Sequence, residues 1–98
     1  MKRCHNLQCV AFEWREAMSA SGWKTADESP RAMAVPHYVL GFLVHETDEE
    51  IVFSNAVGRQ RSTDSFSDPM VIPKAHIIGR IKRFKASDVL GRRLPFEE

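Results

Sequence analysis

Six cations, Arg59, Arg61, Lys74, Arg80, Lys82 and Arg83, are the residues whose type and spacing come nearest to defining a site. Between positions 70 and 85 the chain carries Lys74, Arg80, Lys82, Arg83 and Lys85 with no acid among them, and Arg59 and Arg61 lie in the Gly-, Arg-, Ser- and Thr-rich stretch before it. Guanidinium and ammonium groups set this way suit phosphate or carboxylate partners. Arg80 and Lys82 are two apart, so on an extended segment they share a face and form a ridge. A nucleic acid would be held there through its phosphates and by stacking on exposed aromatics, for which Phe66 and Phe84 are the candidates. Lysines and arginines also guard the exposed edges of small sheets against unwanted pairing. Edge protection is the weightier of the two readings.

Other reactive residues do not assemble into a motif. Cys4 and Cys9 are five apart, which on a strand turns their side chains to opposite faces and makes a mutual disulfide awkward. Without a paired C-x-x-C spacing, neither these thiols nor His5 and His37 read as a metal site. His37, His45 and His76 each sit beside or within an apolar run, with no spacing to a serine, cysteine or acid that marks a triad. Cys9 has no visible base to lower its pKa. Val57-Gly58-Arg59 has one glycine and is no phosphate-cradling loop. The expectation is therefore no catalytic residue, no metal, no cofactor and no enzyme activity.

The 98 residues fit one domain, with the structured part at about 8–84 and a tail at 85–98. Hydrophobic content of 43% with 28% charged residues is ordinary globular usage. A net charge of +1 supplies no global pull toward nucleic acid or membrane, so any such attraction is local. The longest apolar runs are only a few residues, too short to span a bilayer. Lys2 and Arg3 are followed by Cys4-His5-Asn6 with no apolar stretch, so a cytoplasmic location is expected.

Strands dominate the pattern. In residues 8–14, Val10, Phe12 and Trp14 alternate with Cys9, Ala11 and Glu13, which gathers the large apolar groups on one face. Residues 15–21 are helix-permissive, Gly22 breaks them, and Trp23 adds a second large anchor. Residues 24–36 read as a polar loop laid over the core, punctuated by Pro30 and Pro36. The run 37–45 is the firmest strand, and Gly41 inside it suggests a bulge or bend. Residues 46–49 form an acidic turn, 50–55 the returning strand, and 56–67 a long loop. Met70-Val71-Ile72 is a short strand that Pro73 stops, 74–76 one helical turn, and 77–84 the last strand. A helical turn follows at 86–90, and the remaining tail is expected to fray. Trp14, Trp23, Phe42 and Phe53 are expected in the core. This order predicts a mainly β protein: a small five-stranded, SH3-like or Sm-like open barrel with a covering loop or short helix after the first strand.

Two resemblances follow from these segments. Residues 70–77 resemble the Ile-Pro turn near the end of eukaryotic SH3 domains. The chain has no Ala-Leu-Tyr-Asp-Tyr motif, no Trp-Trp pair and a single tyrosine, Tyr38, so the topology carries over and the proline-peptide ligand does not. Across about residues 10–84 the chain resembles a group of small bacteriophage and prophage proteins. The shared elements are the Trp-bearing strand at 10–14, a Ser-x-x-x-Trp segment at 19–23, Leu40-Gly41-Phe42-Leu43-Val44, the acidic hairpin at 48–54, and the run 68–81 beginning Asp-Pro-Met-Val-Ile-Pro-Lys. That resemblance implies fold and origin and assigns no catalytic residue.

The leading expectation is a non-enzymatic phage or prophage accessory protein. It would act in the host cytoplasm by binding a host or phage protein through residues 56–67, the acidic hairpin and nearby strand edges. The alternatives are nucleic-acid binding through Arg59, Arg61, Lys74, Arg80, Lys82 and Arg83, or a homo-oligomer that sequesters a small ligand such as a nucleotide between paired arginine loops.

Overall fold

The computed structural model describes residues 5–15, 35–61 and 63–97. β1 (Gln8–Arg15) is the strand that the alternation predicts, and it pairs antiparallel with β2 (Pro36–Glu46) on one side and β7 (Ile77–Lys85) on the other. β2 serves two neighbours. Residues 36–42 pair with β1, and residues 42–46 pair with β3 (Glu50–Ser54) across the Thr47–Glu49 turn. β3 in turn pairs with β6 (Met70–Pro73), giving one antiparallel five-stranded sheet in the order β6-β3-β2-β1-β7.

β6 and β7 are the two edges of this sheet, yet only the 3₁₀ turn Lys74–His76 joins them. From Pro73 to Ile77 the chain reaches ~14 Å at full extension, whereas the edges of a flat five-stranded sheet lie about 19 Å apart. The sheet must therefore curl, and the core shows that it does. Val10, Phe12, Ile51, Phe53 and Ile72 are buried together on the concave face, with Trp14, Val39, Leu43, Ile77 and Ile81 packed against them. Phe12 and Phe53 stand on strands separated by β2 and still meet edge to face, with ring centroids 5.8 Å apart. No ladder joins β6 to β7, so the curled sheet keeps an open seam.

Residues 56–67, expected as a loop, are instead β4 (Ala56–Gln60) and β5 (Thr63–Ser67), paired with each other. Their register continues that of β3 and β6. Phe53 faces Met70, Ala56 faces Ser67, and two residues on each side lie between. One long hairpin is kinked at its middle. Pro69 has no N–H to give there, and Asp68 sits at a positive φ of 43°. The buried Ser54 hydroxyl sits at the kink, with the carbonyl oxygens of Ala56 (2.9 Å) and Ser67 as alternative acceptors for its one proton.

The kink swings the distal half of the hairpin over the convex face of the sheet. There Val57 and Phe66 close a second core with Leu7, Cys9, Phe42, Phe84, Ala86 and Leu94. Phe42 thus belongs to this second core, apart from Trp14 and Phe53. Part of the tail packs against the fold. After α1 (Ala86–Leu90), Gly91 adopts the left-handed conformation (φ 72°) that ends the helix, Leu94 packs into the second core and Glu97 is buried.

Gly41 is not a bulge. It pairs in register with Val10, and the irregularities fall elsewhere, between Leu43 and His45 and where β7 passes Gly79 (φ 72°) opposite Phe12. The residue is glycine because a Cβ would lie 2.9 Å from the Ser54 carbonyl oxygen and 3.0 Å from the Phe53 ring. Gly41→Ala is expected to lower unfolding free energy by about 1 kcal/mol in urea titration, since the blocking atom is backbone in the middle of the sheet. The helix-permissive stretch 15–21 (beyond Arg15, which ends β1), Trp23 and the covering loop over 24–36 fall almost wholly on residues 16–34, which lie outside the described residues, as does Cys4. Pro36 opens β2.

Candidate functional site

The six predicted cations do not form one surface. Arg59 is an internal residue: its side chain is 7% exposed and its guanidinium forks onto Asp64 with Nε–Oδ1 at 2.7 Å and Nη2–Oδ2 at 3.0 Å. It also donates to the carbonyls of His5 (3.0 Å) and Pro95 (3.3 Å) and lies 3.7 Å from the Glu97 carboxylate. One side chain thus ties the hairpin, the lead into β1 and the tail together. Arg61 stands at the exposed tip of the hairpin with φ 55°. Of the two loop arginines expected in a binding surface, Arg59 is thus turned inward and Arg61 is exposed.

Lys74, Arg80 and Arg83 do converge. The 3₁₀ turn supplies Lys74, and β7 supplies Arg80 and Arg83. Together with Ile77, Gly79 and Ile81 they line a groove of about 330 Å³ beside the open seam. Its floor is apolar, because Ile77 and Ile81 turn toward the concave core, and its rim is cationic. The irregular passage at Gly79 lets Arg80 join this rim.

A carboxylate of the chain itself pairs with two of the rim cations. Glu46, at the end of β2, bonds Arg83 through both oxygens (2.6 and 2.7 Å) and reaches Lys74 Nζ at 2.6 Å. The Arg83 fork beside it, with Lys74 adding to the effect, brings the Glu46 carboxyl down to about 2, and the same pair raises Arg83. Among the described residues, Arg80 and Lys82 have no ion pair. Lys82 lies apart from the groove, beside Ala11 on the convex face.

The aromatic candidates are spent elsewhere. Phe66 and Phe84 pack in the second core, and among the described residues the most exposed aromatic is Tyr38, at 78%. His37 stacks on Trp14 with centroids 4.5 Å apart, His45 is exposed, and His76 belongs to the 3₁₀ turn. Cys9 is buried, and desolvation raises its thiol pKa, which makes it a poor nucleophile. Among the described residues, no three His, Cys, Asp or Glu side chains cluster as metal ligands, and no helix is long and apolar enough to cross a membrane. No protein family model, curated protein or solved structure matches the chain.

Sequence reasoning missed the Glu46 seat and the inward turn of Arg59. Glu46 looked like one acid of a solvated turn. The signal for Arg59 was Asp64, which faces it directly across the hairpin.

Proposed function

We propose that this chain is a non-enzymatic binding protein that holds an acidic segment of a protein partner in the groove lined by Lys74, Arg80 and Arg83. The observation that carries this reading is the Glu46 carboxylate, clasped by Arg83 and Lys74 at the rim of an apolar-floored groove. A partner carboxylate would meet Arg80 in the same manner, with apolar side chains over Ile77 and Ile81. In this reading the curled sheet is an open SH3-like barrel, with the groove at the seam where its last two strands are joined. The order β7-β1-β2-β3-β6 and the 3₁₀ turn between the last two strands support that assignment. The likeness to small phage and prophage proteins extends the proposal to a cytoplasmic accessory protein of that origin.

The test is fluorescence polarisation with a labelled peptide of alternating Glu and Leu, and a Lys–Leu peptide as control. The Glu–Leu peptide should bind, weaken with added salt, and lose about tenfold in affinity on Arg80→Glu. Equal binding of both peptides, or affinity unchanged by Arg80→Glu, would overturn the proposal. Oligothymidine retained at low salt and released by Arg80→Glu, with no peptide binding, would transfer the groove to nucleic acid. A nucleotide clamp built on paired loops at 59 and 61 has less support, because Arg59 is committed to Asp64 inside the fold.

A further inference from the structure

The convex face of β7, β1 and β2, beyond the reach of the folded-over hairpin, carries apolar groups that the groove does not use. Tyr38, Leu40 and Ile78 are 78%, 66% and 46% exposed. The register sets them in two adjacent rows, Lys82–Ala11–Leu40 and Ile78–Glu13–Tyr38, each crossing three strands. Residues directly opposite one another in antiparallel pairs project to the same side, so all six share this face.

We infer that this face docks a second copy of the chain. The pattern is self-complementary under a two-fold axis that crosses the strands between the two rows, because that axis exchanges them. Leu40 of each copy then covers Tyr38 of the other. Glu13 meets the small Ala11, which leaves its carboxylate room. Lys82 lays its stem along the other copy's Ile78 and brings its ammonium to the neighbouring Glu13. An axis along the strands would instead stack Glu13 on itself. Among the described residues of one copy, Glu13 pairs only with Arg15, at 3.6 Å, so its carboxylate retains capacity for a second cation. Stable interfaces bury about 800 Å² on each partner, and a face three strands wide falls short of that, so the dimer is a weak one.

Sedimentation velocity of the full chain from micromolar to submillimolar concentration tests this. Wild type should pass from monomer to dimer, and Leu40→Asp should stay monomeric with unchanged circular dichroism. Glu13→Lys and Lys82→Glu should each weaken association at least about fivefold, and the double exchange should restore it. A monomer at every concentration, association unaffected by Leu40→Asp, or a double exchange no better than the singles would overturn the inference. Association at this face is independent of peptide binding in the groove, so the failure of one leaves the other standing.

Discussion

Arg59→Ala is expected to lower unfolding free energy by about 3–5 kcal/mol, the cost of removing one partner from a buried ionic cluster. The substitution leaves Asp64 without its fork and Glu97 without the nearby cation, and it strips donors from the carbonyls of His5 and Pro95. Glu97 depends on that cation, since its buried Oε1 meets no hydrogen-bond donor among the described residues and has the Arg59 guanidinium as its charge partner at 3.7 Å. Arg59→Lys keeps the charge and loses the planar fork, so it should recover less than half of the loss. Urea titration of the three proteins reads the order directly. Losses under about 0.5 kcal/mol for Arg59→Ala would place the side chain on the surface, where such substitutions usually fall. Limited proteolysis should show the tail released before the sheet opens, because Arg59 holds it at Pro95 and Glu97.

The strands that were legible in the sequence are those with period-two apolar alternation or a proline stop. Val10-Phe12-Trp14 and Ile72-Pro73 announced β1 and the end of β6 because burial on one face leaves a composition trace. β4 and β5 left almost none. Their half-buried positions are Val57, Arg59, Asp64 and Phe66, and a charged pair in two of the four hides the alternation. What makes Arg59 internal is the kink at Asp68-Pro69, which redirects the hairpin by an amount that no local propensity fixes. Gly41 was legible as special, though not for the right reason. A close backbone approach and a bulge both demand glycine, and only the register separates them. At the groove, the cations were legible from β7 and the Ile-Pro turn. Their division was not, because it depends on the curl that carries Glu46 from β2 across to Arg83.

That curl makes Glu46 a reporter of the contact between the end of β2 and β7. Its carboxyl titrates near 2 in the folded chain against about 4.5 when unfolded. A depressed carboxylate contributes stability that is complete above the unfolded pKa and disappears as pH falls through the folded one, so the loss runs from about pH 4.5 down to 2. The shift corresponds to about 3 kcal/mol, and screening at the exposed Arg83 reduces that to about 2 kcal/mol. Glu46→Gln should therefore lose about 2 kcal/mol at neutral pH and show a shallower acid limb over that window, with the difference between the two proteins vanishing near pH 2. Parallel acid limbs, with a constant offset down to pH 2, would mean that Glu46 does not titrate against Arg83 and Lys74. The same variant probes the groove, because removing the internal carboxylate frees the Arg83 fork. Glu46→Gln should bind the Glu–Leu peptide more tightly than wild type while being the less stable protein, a pairing of effects that a purely structural salt bridge does not produce.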